Sequence, residues 1–196
     1  MALTILPFSV IEKRQRTKQS LKEALVELCQ KKNYYDITVW DICNQARVYR
    51  STFYRYYDTK DEMLREIEHE YVRATRDMTM TIRDYQKDAS PKLRSVYLEE
   101  LTRDMEYHLQ NEKLCRFLLS PAGDIYFHQK LIESVAESVS KSIQKYGSRT
   151  TTETTYLANF FAAGFVSTIY EWLTLKNRTS LQIASFLLEM IERLQP

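Results

Sequence analysis

The feature that most narrows what this chain can become is its shortage of glycine. There are three in 196 residues, Gly123, Gly147 and Gly164, and the first 122 positions hold none. An average composition would supply about fourteen. A dinucleotide fingerprint or a phosphate-cradling loop needs several glycines so that the backbone can approach its ligand. Tight hairpins draw on Gly or Asn-Gly for their positive φ values. The first 122 residues offer neither and the chain has no Asn-Gly pair, so the expected fold class is all-α. With 44% apolar and 28% charged residues, the chain can bury a core and does not read as a disordered tail.

No apolar run reaches the length of about eighteen residues that a membrane span needs. The opening MALTILPFSVIEKRQR is apolar and then basic, the reverse of a secretory signal, so a cytoplasmic location with no membrane partner is expected. Cys29, Cys43 and Cys115 cannot all pair and form no C-x-x-C; each reads as a small buried hydrophobe. His69, His108 and His128 lack metal-ligand spacing, and no nucleophile, base and orienting acid stand together. The expectation is therefore no enzyme, no metal and no cofactor.

The net charge of +2 hides an asymmetry. Residues 1–60 carry 11 Lys+Arg against 6 Asp+Glu, whereas residues 61–196 carry 17 against 20. Lys13, Arg14, Arg16, Lys18 and Lys22 precede or open the first helix, and Arg47, Arg50, Arg55 and Lys60 cluster with Tyr49, Tyr54, Tyr56 and Tyr57. Cations interleaved with aromatic hydroxyls suit a polyanion whose phosphate oxygens accept hydrogen bonds. A solvated helix face is the other reading of charge alone, and the spacing decides between them.

Leu21, Ala24, Leu25 and Leu28 recur at helical spacing between Lys13 and Lys32, with Asn33 as the stop. Tyr34, Tyr35 and Ile37 form a short hydrophobic link, and Thr38 with Asp41 resembles a capping box. A second helix is predicted over Val39 to Ala46. After Arg47, Val48 and Tyr49 comes a third, Arg50 to Tyr57, with Phe53 and Tyr57 inward and Arg50, Ser51, Tyr54 and Arg55 outward. Two short helices joined so tightly make a helix-turn-helix, whose second helix enters the major groove. Arg50 has the fork to read guanine, and Arg47 can reach a base or a phosphate. Tyr49 can meet a thymine methyl and Ser51 a base or phosphate. Tyr54, Tyr56 and the next helix start at Lys60 suit phosphates, and Thr38 can serve as both cap and phosphate donor.

The stretch ITVWDICNQARVYRSTFYRYYDTKDEML resembles the DNA-binding head of the TetR/AcrR family of bacterial repressors. That pattern has a Thr-Val helix start, an Ala-Gly-Val turn, and then Ser-x-x-Thr-hydrophobe-Tyr-x-His-Phe-x-x-Lys-x-x-Leu. The chain matches it at Thr38, Val39, Ile42, Ala46, Val48, Thr52, Phe53, Tyr54, Tyr57, Lys60, Met63 and Leu64. It departs at Arg47 for Gly, Tyr49 for Ser and Tyr56 for His. A non-glycine at positive φ costs on the order of 1 kcal/mol, and a lost hydroxyl cap about 1 more. Either the turn is shaped differently or that loss is accepted for contacts to DNA.

Domains are expected over residues 1–60 and 61–196. In the second, Met63, Leu64, Ile67, Tyr71, Met78 and Ile82 imply a long fourth helix, and Ser90-Pro91 opens a fifth with Leu93, Val96, Tyr97, Leu101, Met105, His108 and Leu109. Asn111-Glu112 opens a sixth. Ser120-Pro121-Ala122-Gly123 reads as a loop, Asp124 as the cap of a seventh helix to Tyr146, and Gly147 as its stop. Residues 151–175 form the most apolar helix, and Thr179 or Ser180 caps a ninth. Small residues at Ala163, Gly164 and Ser167, with Ile183, Phe186 and Met190 on the last helix, predict a homodimer through a four-helix bundle. The resemblance implies the same pairing, and a two-fold dimer implies a palindromic operator in double-stranded DNA. It also implies a pocket in the body for a small hydrophobic or aromatic ligand. The candidates there are Tyr97, Leu101, Met105, His108, Phe117, Tyr126, Phe127, Phe160 and Phe161. The function so read is a sequence-specific transcriptional regulator, a repressor released by ligand. The altered turn leaves open a TetR-like coregulator that docks another protein.

Overall fold

A computed structural model describes residues 8–83, 90–120, 126–146 and 150–194. Every regular element among them is helical: α1 (Phe8–Cys29), a 3₁₀ turn (Tyr34–Asp36), α2 (Val39–Gln45), α3 (Arg50–Phe53), α4 (Lys60–Arg83), α5 (Pro91–Gln110), α6 (Glu112–Leu119), α7 (Phe127–Tyr146), α8 (Thr151–Leu175) and α9 (Ser180–Leu194). None of these helices is long and apolar enough to cross a membrane. The chain divides into two compact units, Met1–His69 and Glu70–Pro196, with the division inside α4 rather than at the expected residue 60. The reason is local. Glu66 of α4 accepts from Lys18 at 2.8 Å and Lys22 at 2.7 Å of α1, and the Tyr34 hydroxyl donates to Asp61.

In the first unit, Leu21 and Leu25 of α1 meet Ile37, Ile42, Phe53, Tyr57 and Met63 in a fully buried core. Asn33 does not end α1. Its side chain accepts from the Tyr35 amide at 3.0 Å and caps the 3₁₀ turn instead. The helix α3 is shorter than its pattern predicts, because after Phe53 the amides of Arg55 and Tyr56 bond three residues back, to Thr52 at 3.3 Å and Phe53 at 2.9 Å. That tighter closure ends the α-helix, yet Tyr57 still reaches the core.

The second unit is built on α7 packed along α8 and α5 along α9. Its caps follow from short sequence motifs: Ser90 on the Leu93 amide with Pro91 in the first turn, Thr150 and Glu153 in a reciprocal box, and Thr179 with Gln182. The expected loop at 121–123, the cap at Asp124 and the stop at Gly147 lie outside the described residues. Of the thiols, Cys43 and Cys115 are buried and Cys29 is half-buried.

The body core holds a polar island. Tyr71 of α4 and His108 of α5 meet hydroxyl to Nδ1 at 3.1 Å, and the Cys115 thiol donates to the His108 carbonyl at 3.6 Å. Burial lowers His108 to about 4 and pushes Cys115 up to about 12. One turn before His108, burial and the charge of Glu100 raise Asp104 to about 6. The two shifts oppose each other. An unfolded histidine with a pKa near 6.5 takes a proton that folded His108 refuses, so its effect is stability lost as pH falls from about 6.5 to 4. Folded Asp104 takes its proton before the unfolded carboxyl does, so stability rises as pH falls from about 6 to 3.8. Asp104→Asn is expected to remove that offset. Urea unfolding from pH 7 to 4 should then show a steeper acid loss than in the wild type, approaching about 3 kcal/mol.

Candidate nucleic-acid interface

The turn between α2 and α3 begins with how α2 is capped at each end. At its start the Thr38 hydroxyl accepts from the Asp41 amide at 3.2 Å, and Asp41 Oδ2 accepts from the Thr38 amide at 2.8 Å, which is the expected box. The same carboxylate accepts from the Thr38 hydroxyl at 2.7 Å and pairs with Lys32 at 3.0 Å. Bonds from the Thr38 backbone and side chain, then from Lys32, hold Asp41 down to about 2. In this arrangement the Thr38 hydroxyl hydrogen is given to Asp41. The phosphate-donor role expected of it requires that bond to break.

At the other end the Val48 amide donates to the Cys43 carbonyl at 2.9 Å and the Arg47 amide to Asn44 at 3.1 Å. This pair of bonds is a Schellman stop, whose geometry needs a left-handed residue between them. Arg47 occupies that place with φ 55°. The turn therefore keeps the shape a glycine would give it, with the strain retained. Tyr49 precedes α3 in an extended conformation and makes no side-chain cap, as expected for a residue without a short hydroxyl.

Arg47, Tyr49, Arg50, Ser51, Tyr54 and Arg55 are all exposed, Tyr49 at 84%. The Arg50 guanidinium folds back on Tyr54, reaching its hydroxyl at 3.4 Å. Tyr56 is half-buried with Arg14 6.0 Å from its ring centre. The exposed Trp40, on the first turn of α2, and Tyr35 were not in the expected set. For Trp40 the helix period was the available signal, since it puts Val39, Ile42, Cys43 and Ala46 on one face and turns Trp40 away from it.

The lysines behave differently. Lys18 and Lys22 face Glu66; burial alone would raise that carboxyl, and the two ammonium bonds outweigh it and hold it below its ordinary value. Lys60, expected to meet phosphate, instead donates to three backbone carbonyls, of Tyr34 (2.9 Å), Tyr35 (3.2 Å) and Ile37 (2.7 Å). The 3₁₀ turn brings those acceptors to it from more than twenty residues upstream, which no local pattern displays.

Among the expected pocket residues, Leu101, Met105, His108, Phe117, Phe127 and Phe161 are buried in the body and Tyr97 is half-buried. Tyr126 and Phe160 are not brought to that group and stand 71% and 74% exposed. Phe160 shares an outer face of α8 with Tyr156, Gly164 and Ser167, since the helix period places these at successive turns. Of the expected dimer residues, Ala163, Phe186 and Met190 are half-buried and Ile183 is buried within its own unit. Ile183 and Phe186 also line, with Ser167, Trp172 and Arg178, an open groove of about 350 Å³ at the α8–α9 end. No group of His, Cys, Asp and Glu that could hold a metal occurs among the described residues.

A helix-turn-helix unit followed by a helical body defines a class of transcriptional regulators. Residues 21–67 match the family model for bacterial regulatory proteins of the tetR family, and residues 97–193 match one for a transcriptional regulator C-terminal region of TetR type. The chain belongs to the TetR family. Solved structures agree on the fold. A protein from Syntrophomonas wolfei assigned to the TetR family is 19% identical with a TM-score of 0.66, covering 92% of this chain and 95% of that one. A TetR transcriptional regulator of Streptococcus agalactiae is 24% identical at 0.61, covering 94% and 98%. The dihydroxyacetone kinase operon activator DhaS is 19% identical at 0.58, covering 89% and 93%. No curated protein matches the chain.

Arg47→Gly is expected to relieve about 1 kcal/mol of left-handed strain, partly offset by the freedom glycine adds to the unfolded chain, so the head should gain less than about 1 kcal/mol. A lower melting temperature for the glycine variant would mean that the strain at Arg47 is smaller than the unfolded-state entropy glycine adds.

Proposed function

We propose that this TetR-family regulator binds a palindromic site in double-stranded DNA as a homodimer and acts as a repressor that a small molecule releases. The observation that carries the reading is the group of exposed arginines around the helix-turn-helix. Lys18, Lys22, Lys32 and Lys60 are engaged inside the unit, whereas Arg47, Arg50 and Arg55 stand exposed around the turn and α3. Arginine's fork suits both base edges and phosphates. Arg47, Arg50 and Ser51 are assigned to bases or nearby phosphates, Tyr49 to a thymine methyl, and Tyr54, Arg55 and Tyr56 to the backbone. Ligand release needs a molecule that prefers the arrangement unable to bind DNA, and it weakens binding by that difference in affinity. The buried group from Leu101 to Phe161 is the region assigned to it. A cytoplasmic location fits this task.

DhaS, a structural relative, is by its name an activator, so activation is the second reading of the same interface. A coregulator that docks protein is the third, supported by the uncapped Tyr49 and the exposed Trp40 and Tyr35. Selection from random duplexes separates DNA readers from a docking protein, which would enrich no palindrome.

For the selected duplex, affinity should fall on the order of a thousandfold from 50 to 200 mM salt, as six or more phosphate contacts require. Arg50→Ala should cost about 1–3 kcal/mol and relax preference at one base pair. A shallow salt response would refute the interface.

The dimer is assigned to the outer face of α8 with α9. A side chain added at Gly164 meets nothing within 4 Å in the single chain, so Gly164→Arg should leave helicity intact. Sedimentation should then show monomers; an unchanged dimer would place the interface elsewhere.

A further inference from the structure

Lys60 opens α4 with an ammonium whose three N–H groups have three acceptors, the carbonyls of Tyr34, Tyr35 and Ile37. An ammonium has no fourth donor. It also lies 4.4 Å from the centre of the Tyr34 ring, and the next residue, Asp61, accepts from the Tyr34 hydroxyl. Burial, and then that bond, push the Tyr34 hydroxyl well above its ordinary value, so it stays protonated as the donor. The first turn of α4 thereby grips the 3₁₀ turn from two sides. The last carbonyl it holds, Ile37, belongs to the residue directly before Thr38, which caps α2.

We propose that Lys60 is a positioning residue of the DNA interface. It sets the place of the segment leading into α2, and with it Thr38 and the exposed Trp40, without meeting a phosphate itself. The inference rests on the DNA-binding reading above. Reaching out to a phosphate would take the ammonium from all three carbonyls; that of Tyr34 keeps the Ile37 amide at 3.1 Å, but the part-buried Ile37 carbonyl would lose this donor, and leaving a buried acceptor unpaired is costly. The site also discriminates between cations. Three carbonyls converging on one point suit a tetrahedral ammonium; a planar guanidinium spreads its donors along a fork and cannot serve all three.

Lys60→Arg and Lys60→Met in the full chain test this, with duplex affinity measured across salt at a temperature where circular dichroism shows each variant folded. Both are expected to lose about tenfold or more in affinity, with the salt slope kept and no rescue by arginine. A second readout needs no DNA. Trp172 is buried with its N–H bonded to the Arg178 carbonyl, so acrylamide quenching reports Trp40, and it should change in both variants. A phosphate ligand would behave oppositely: Lys60→Arg would bind like wild type and Lys60→Met would lower the slope by about 0.9. That result overturns the proposal, as does a lower melting temperature with affinity and quenching unchanged. If Lys60→Met does not fold, Lys60→Arg decides alone. A wild-type protein that binds no duplex overturns the DNA reading itself, and altered Trp40 quenching in the variants would still show that Lys60 holds α2.

Discussion

The left-handed backbone at Arg47 is the constraint on which the head depends. Two amides, of Arg47 and Val48, close onto the last free carbonyls of α2, and only a positive φ lets both bonds form. This fixes where α2 stops and the direction in which the chain leaves. Tyr49 then runs extended and α3 starts at Arg50. Were α2 to continue by one residue, α3 would begin rotated, and Phe53 and Tyr57 would leave the core they share with Leu21 and Met63. The two capping bonds together outweigh a strain of about 1 kcal/mol.

Around that turn three lysines and three arginines stand in different surroundings, while Lys13 and Lys31 are exposed as well. The compact ammoniums of Lys18 and Lys22 share one carboxylate, and Lys60 fills a site made of carbonyls. The planar guanidiniums of Arg47, Arg50 and Arg55 are left outside. At these six positions the difference matches the chemistry of each group, a point charge with freely turning donors against a rigid fork. The body core holds its own polar contacts: Tyr71 meets the His108 ring and the Cys115 thiol donates to the His108 carbonyl.

What could be read from the sequence was whatever is settled within a few residues. The Thr38–Asp41 box, the Ser90-Pro91 helix start, the Thr179 cap and both ends of α8 depend on neighbours three or four positions away. The family pattern supplied the turn, and Arg47 took the conformation its glycine would have had. Contacts made across the fold could not be read this way. Lys22 looks like a surface cation until Glu66 arrives from α4, and Lys60 looks like a phosphate ligand until the 3₁₀ turn presents its carbonyls. Phe160 reads as a pocket residue because it is aromatic in an apolar helix, yet the helix period turns it outward with Gly164.

Lys176 ends α8 in the same left-handed region, with φ 51°. Both helices thus stop on a long cationic residue where glycine is the usual choice. Native strain is one side of that substitution, and the other lies in the unfolded chain. Glycine explores far more backbone space than any other residue, and that freedom is lost on folding. A chain with so few glycines enters folding from a narrower ensemble, so part of what Arg47 and Lys176 cost the folded state is returned by an unfolded state with less entropy to surrender.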